Sequence, residues 1–190
     1  MATKLDFSLS ASLPEGGHAL ICLVGGNGVL VPSLDKDLAA AVISAMATAQ
    51  FAGDEGKSIT LNLEARTVVL VGTGTALTAG TSAEAIGGKI FAAVDGLQIK
   101  CAVMPEHDLD DAVMADIILG LHMAGYHFEK YFTENSSNEA TVKIDVVSSA
   151  LGADHALIQD RYALMAGVAM ARDLVFEPAN ILYPAEFKDR

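Results

Sequence analysis

Short apolar runs that alternate with longer segments of helical periodicity constrain the fold of this 190-residue chain most strongly. His18 to Val24 is a nearly continuous apolar run that ends in Gly25-Gly26-Asn27-Gly28. This pattern predicts a buried strand, a turn and a candidate return strand at Val29 to Val31. From Leu34 onward, apolar residues recur every three or four positions. That period predicts a helix with one apolar face, and Ser33 is its expected N-cap.

The same alternation continues along the rest of the chain. It predicts further strands at residues 6–12, 58–63, 67–71, 97–104 and 142–147, and further helices at residues 81–94, 108–124 and 154–173. Residues 6–12 alternate polar and apolar side chains, as a half-exposed edge strand does, and residues 133–141 are expected to form a polar surface loop. Strands that alternate with helices predict an α/β domain, with a mixed sheet flanked by helices on both faces.

Two of the predicted helices carry further expectations. Thr81 and Glu84 have the spacing of a capping box at the start of one helix. Gly87-Gly88 inside it predicts close packing against a neighbour, because a glycine otherwise costs a helix roughly 1 kcal/mol relative to alanine. In the last helix, one side is expected to carry Leu157, Arg161, Leu164, Met165 and Val168.

Composition limits the classes of partner that the chain is expected to bind and the compartment in which it is expected to reside. The chain has 24 acids and 12 bases, a formal net charge of -12, and its bases do not cluster, which opposes nucleic-acid binding. Its start has no signal-peptide run, and no apolar stretch reaches the roughly 20 residues that a bilayer requires. We therefore expect a soluble, cytoplasmic protein without a membrane partner. Cys22 and Cys101 lie in predicted strands and are expected to be buried free thiols.

A glycine-rich segment is the first candidate for a binding site. Gly72-Thr73-Gly74-Thr75-Ala76-Leu77 follows a strand and precedes a helix, as a dinucleotide-binding turn does. However, Leu77 replaces the third glycine, and the helix does not begin at once. The segment is either a structural turn, which we favour, or a phosphate-binding loop.

Titratable residues do not form a recognisable catalytic motif. The histidines are not at zinc-binding spacing, and His122 and His127 would lie on different sides of a helix. The acids Glu106, Asp108, Asp110 and Asp111 suggest either a divalent cation or, as we favour, charge at a helix start. Neither cysteine has a basic neighbour expected to activate its thiol. No catalytic, cofactor-binding or metal-binding residue is therefore assigned in this chain.

Two segments resemble signatures of the leucyl (cytosol) aminopeptidase family. Ala171 to Pro184 reads ARDLVFEPANILYP and is similar to the family's RDLVNEPAN segment followed by a (V/L)xP turn. Ala115 to Tyr131, with its YHFEKY end, resembles the EG…YxFxxY helix end of the family's N-terminal domain. Thr67 to Ala93 also follows the family's order of strand, glycine turn and glycine-bearing helix. The chain departs from the pattern at Phe176, where Asn is usual, and at Tyr183, where Thr is common.

The resemblance implies a function for the full-length protein. It would be an exopeptidase with two divalent metal ions, zinc or manganese, that removes N-terminal residues from peptides and assembles as a homo-hexamer. In this family the metal ligands and the catalytic lysine belong to the C-terminal domain, so the N-terminal domain would be structural. The fold of that N-terminal domain is similar to macro domains, and this gives the alternative of an ADP-ribose or nucleotide-binding module.

The end of the chain leads to an expectation about domains. Pro178 should end the last helix, and Pro184 should begin another shortly before the chain ends at Arg190, which suggests truncation at a domain boundary. We expect residues 1–173 to form the N-terminal non-catalytic α/β domain and residues 174–190 to be a linker into a missing C-terminal catalytic domain. In the complete protein, Arg172 is expected to be available to an acid such as Asp173 or Glu177 or to a partner group, and Phe176 to pack on apolar surface.

Overall fold

The computed structural model describes residues 2–3, 5–12, 18–26, 28–29, 34–63, 66–97, 99–128, 130–131 and 142–189. Its strands are β1 (Ala2–Thr3), β2 (Leu5–Ser10), β3 (Ala19–Gly25), β4 (Gly28–Val29), β5 (Ser58–Leu63), β6 (Arg66–Gly74), β7 (Cys101–Met104), β8 (Tyr126–His127) and β9 (Val142–Val147). Its helices are α1 (Lys36–Thr48), α2 (Thr81–Gly96), α3 (Asp111–Gly125), α4 (Ala156–Phe176) and α5 (Pro184–Asp189). The expected loop at 133–141 and the end of the return strand, residues 30–31, lie outside the described residues.

The main sheet is mixed. Its strands follow the order β2-β9-β7-β3-β6-β5, and β4 pairs with β3. The neighbours from β2 to β6 run parallel, whereas β5 pairs antiparallel with β6 and β4 antiparallel with β3. β1 and β8 form a separate antiparallel pair. The predicted α/β class with a mixed sheet is confirmed, and so is the edge position of β2.

Apolar residues on both faces of the central strands explain why helices cover both sides of the sheet. On one face, Ile21 of β3 and Val69 of β6 join a large core with buried residues of α2, α3 and α4. On the other face, Cys22 of β3 and Leu70 of β6 pack in a smaller core with Val42 of α1. The predicted flanking of the sheet on both faces is therefore confirmed.

The starts of two helices differ from the expectation. α1 begins at Lys36, and its N-cap is Asp35, whose side chain accepts two backbone N–H bonds of the first turn. The predicted cap, Ser33, lies outside the described residues. α2 begins at Thr81, which is therefore helical, and the predicted capping box is wrong. The N-cap of α2 is Gly80, whose φ of 99° is a value that glycine adopts without strain.

Glycines bring α2 and α3 into backbone contact. A Cβ atom at Gly87 would collide with the Ile117 carbonyl oxygen, and one at Gly120 would collide with the Glu84 carbonyl oxygen. The predicted close packing is therefore confirmed at Gly87. It is wrong for Gly88, because a Cβ there would meet no neighbour within 4 Å.

α4 packs on α3 with a narrow inner side. Its buried residues are Ile158 and Ala169, whereas Leu164, a member of the side predicted from periodicity, is 50% exposed. The predicted side is therefore not the side that α4 buries. The helix ends at Phe176, just before Pro178, as the proline predicts, although residue 173 was its expected last position.

Candidate functional site

The predicted glycine turn begins as the end of β6, since Gly72, Thr73 and Gly74 are the last residues of that strand, and the chain's own backbone packs against them. A Cβ at Gly72 would collide with the Asp54 carbonyl oxygen, so only glycine allows this approach. Gly74 has φ of 71°, and its N–H donates to the Gly53 carbonyl at 2.9 Å. The loop that follows α1 therefore packs directly on this segment. These close backbone contacts explain why glycines occupy positions 72 and 74.

A buried carboxylate occupies the N-terminus of α2, where a phosphate would bind in a dinucleotide site. Asp116 of α3 is 3% exposed, and its Oδ2 accepts the Gly80 N–H at 2.6 Å. Its Oδ1 accepts from Arg161 Nε of α4 at 2.5 Å. Sequence reasoning missed Asp116, although an acid within an apolar helix face signals a buried partner. The arrangement opposes anion binding at this helix end.

Two histidines pack inside the fold as neutral residues. His107 Nε2 accepts the Leu23 N–H at 3.0 Å, and burial lowers the pKa of His107 to about 4. His122 stands edge-on to Phe7 and Tyr162, with ring centroids 4.7 and 5.8 Å away, and burial lowers its pKa to about 4 as well. In the part of the chain that the structure describes, no three His, Cys, Asp or Glu residues group so as to hold a metal ion.

Two of the acids before α3, Glu106 and Asp110, accept hydrogen bonds from other residues of the chain. The Asp110 side chain caps α3 by accepting the Ala112 N–H at 2.9 Å, as charge at a helix start would. Hydrogen bonds from the side chain and the backbone of Ser149 lower the pKa of Glu106. These contacts favour the helix-start interpretation over a cation site.

The two cysteines have different surroundings. Cys22 is fully buried, and burial raises the pKa of its thiol to about 12. Cys101 is only partly buried, and its Sγ lies 3.2 Å from Nδ1 of His18. The expectation that both thiols are free is confirmed, whereas the expected burial is confirmed for Cys22 and wrong for Cys101. Cys101 and His18 are 83 positions apart, so no local pattern indicates the contact.

The two segments that resemble the family signatures meet in space. The end of α4 and the segment that follows α3 form a cluster that we name the α4 anchor, and its members are Tyr126, Phe128, Lys130, Tyr131, Arg172, Asp173, Phe176 and Glu177. Tyr126 donates its hydroxyl to Asp173 Oδ1 at 2.6 Å. Loss of hydration and this interaction with Asp173 raise the pKa of Tyr126 to about 12.

Arg172 contacts a backbone carbonyl and an aromatic ring within the chain. Its Nη1 donates to the Met123 carbonyl at 2.8 Å, and its guanidinium lies 5.3 Å from the centre of the Tyr126 ring. Within this chain Arg172 therefore bonds to a backbone carbonyl at the end of α3, and its pairing with an acid or a partner group in the complete protein stays a prediction.

Glu177 binds two residues of the opposite segment. Its carboxylate accepts from Lys130 Nζ and from the Tyr131 hydroxyl. These hydrogen bonds raise the pKa values of both Lys130 and Tyr131. Phe176 stacks on Phe128, with ring centroids 5.4 Å apart, so the expected packing of Phe176 on apolar surface occurs within the chain.

Beyond the anchor, α4 presents apolar side chains to solvent. We name these residues the α4 outer face: Leu164, Met170 and Val175, which are 50%, 58% and 82% exposed. Tyr183, just before α5, is 51% exposed. Single exposed apolar residues are ordinary on a protein surface, but several along one helix are typical of a surface that meets a partner.

None of the described helices combines the length and the apolar character needed to cross a membrane.

Comparisons with known proteins agree on one family. The sequence profile described as the cytosol aminopeptidase family, N-terminal domain, matches residues 23–135, which is more than half of the chain. A probable cytosol aminopeptidase of Gluconobacter oxydans is 32% identical over 201 residues, covering 100% of this chain and 40% of that protein. One of Sinorhizobium medicae is 30% identical over 203 residues, covering 100% of this chain and 41% of that protein.

Solved structures share the fold. A mutant of tomato leucine aminopeptidase superposes with a TM-score of 0.77 at 22% identity, covering 99% of this chain and 41% of that chain. The bottromycin maturation enzyme BotP in complex with Mn gives 0.64 at 16% identity, covering 92% and 35%. The chain thus spans about 40% of the length of the curated relatives it matches. It belongs to the cytosol aminopeptidase family, and the part of that family's architecture that it contains is the N-terminal domain.

Proposed function

We propose that this chain is the non-catalytic N-terminal part of a leucyl aminopeptidase that removes N-terminal residues from peptides. The observation that carries the proposal is the family match over a chain that covers only about 40% of its relatives. The chemistry would then belong to the rest of the longer protein. Two divalent ions, zinc or manganese, would there polarise the scissile carbonyl and activate water. The manganese bound to BotP supports the use of a divalent ion.

The α4 anchor gives this domain a structural task. It fixes the end of α4 through Asp173, Phe176 and Glu177, so that the following residues leave the domain in a defined direction. In this proposal residues 1–173 form the domain and residues 174–190 form the linker to the catalytic domain. Val175 and Tyr183, which are exposed here, would be covered by that domain.

We also propose the assembly and the cellular location of the whole protein. The whole protein would be a cytoplasmic homo-hexamer, to which this domain contributes contacts between subunits. No observation favours the alternative of an ADP-ribose module, because the Asp116 carboxylate already holds the Gly80 N–H at the start of α2. Calorimetric titration of the chain with ADP-ribose should therefore give no binding heat.

An activity assay tests whether catalysis belongs to the part of the longer protein that lies outside this chain. The 190-residue chain and the longer product of its complete reading frame are assayed on leucine p-nitroanilide with Zn²⁺ or Mn²⁺. We expect turnover only from the longer protein, whose additional sequence should contain a lysine and several acidic metal ligands. Turnover by the repurified 190-residue chain would overturn the assignment of chemistry to the other domain.

A second measurement addresses the α4 outer face. On the longer protein, Val175→Lys should weaken the contact between the domains and lower the hexamer fraction in light scattering, because it places a charge in an apolar contact. Ile43→Lys serves as a control, since Ile43 is 62% exposed on α1, the helix on the opposite side of the sheet. Equal loss of assembly in both variants would show that the α4 outer face has no particular role.

A further inference from the structure

A nucleophile and a base stand together at a place that the aminopeptidase assignment does not use. Cys101 opens β7, and His18 directly precedes the neighbouring strand β3. The Sγ and Nδ1 atoms are 3.2 Å apart, within hydrogen-bond reach for sulfur. Both side chains are partly exposed, so the pair lies at the surface and not in the core.

The strands beside this pair add charged groups on the same face of the sheet. Lys143 of β9 is the register partner of Cys101, and Asp6 of β2 is the register partner of Lys143. Register partners on parallel strands point to the same face. Both Lys143 and Asp6 are exposed. The strand order places Lys143 on the strand next to Cys101 and Asp6 one strand further away.

The next register pair on the same face, Val103 and Asp145, shows where the exposed surface ends. Asp145 of β9 is 9% exposed and accepts hydrogen bonds from Ser8 at 3.1 Å and Ser10 at 3.2 Å. Val103, two residues after Cys101 on β7, is fully covered at 1% exposure. Cys101 therefore lies at the rim between the buried and the exposed part of the face.

We propose that Cys101 and His18 form a thiol-exchange site that takes a low-molecular-weight disulfide as its reactant. His18 Nδ1 accepts the thiol proton, and the Cys101 sulfur attacks one sulfur of the disulfide. A new sulfur–sulfur bond forms as the old one breaks, and the leaving thiolate takes the proton from His18. Cys101 is oxidised to a mixed disulfide, and the other half of the reactant is reduced to a free thiol.

Cys22 provides an internal control in the same chain. It is fully buried in the middle of β3, and burial raises the pKa of its thiol to about 12. It has neither access to solvent nor a thiolate population near neutral pH. A reagent that distinguishes the two cysteines therefore reports on the rim site alone while the protein is folded.

The test uses oxidised glutathione at pH 7 with mass spectrometry and peptide mapping. We expect one glutathione on Cys101 and none on Cys22. His18→Phe should slow the reaction about tenfold, which is less than the hundredfold or more that a general base contributes in a closed active site. His127→Phe is the matched control, because His127 lies in β8, outside the main sheet, and it should leave the rate unchanged.

Several results would overturn the proposal. These are the absence of an adduct on folded protein, labelling of Cys22 at the same rate, or equal rates for the wild type and His18→Phe. Circular dichroism establishes that each variant is folded, and His18→Gln provides a second variant if His18→Phe is not. The readout does not involve peptidase activity, so its outcome is independent of the proposed aminopeptidase function.

Discussion

Helices α3 and α4 pack side by side, yet they use their apolar residues differently. α3 is buried along nearly its whole middle, from Val113 to Leu121, because α2, the sheet and α4 surround it. α4 is longer but buries only Ile158 and Ala169, and it leaves large apolar side chains exposed. The stability of α3 is therefore determined within this chain. α4 instead depends on a few anchoring contacts and has apolar surface left for a partner.

The largest expected effect comes from the contact between α2 and α3. Gly120→Ala should lower the free energy of unfolding by about 3 kcal/mol, because the new methyl group would collide with the Glu84 carbonyl oxygen and force two backbones apart. Urea denaturation followed by circular dichroism measures the change.

Gly88→Ala is the matched control for that variant. Its Cβ would meet no neighbour within 4 Å, so the alanine should raise stability by up to about 1 kcal/mol through helix propensity. If Gly120→Ala were tolerated as well as Gly88→Ala, the backbone contact between α2 and α3 would not be as close as described.

A smaller effect is expected from acidification at the contact between α3 and α4. Folding lowers the pKa of His122 from 6.5 to about 4, so the unfolded chain binds its proton first as the pH falls. The contribution of neutral His122 is present above pH 6.5 and is lost as the pH falls towards 4. Between pH 7.5 and pH 5 this should remove on the order of 2 kcal/mol of stability.

The variant His122→Phe distinguishes the contribution of His122 to the pH dependence of stability from that of His107, the other buried histidine. The phenyl ring fits between Phe7 and Tyr162 without a titratable group, so thermal unfolding should depend less steeply on pH in the variant. The remaining slope should include His107, whose pKa is also lowered to about 4. An unchanged slope in His122→Phe would contradict the assignment to His122.

The smallest effect is expected on the outer side of α4. Leu164→Gln should change the free energy of unfolding of this chain by less than about 0.5 kcal/mol, because the side chain is 50% exposed. The same urea experiment measures it. A loss of about 2 kcal/mol would mean that Leu164 is packed, and α4 would then resemble α3.

The local sequence pattern predicted secondary structure correctly where neighbouring residues in the chain alone determine it. The strands at 58–63 and 142–147 were predicted with the observed bounds, because apolar runs between turn residues leave little choice of structure. The pattern failed at Thr81 because the cap depends on Gly80 and on a carboxylate from another helix. The contacts of Glu177 and of Cys101 join residues 46 to 83 positions apart, which periodicity cannot detect.

The single carboxylate of Asp116 makes three helices mechanically dependent on one another. Its two oxygens hold the first turn of α2 and Arg161 of α4, while its own backbone belongs to α3. We therefore expect a displacement of Arg161 on α4 to reach the start of α2 and the loop that precedes it through this one side chain.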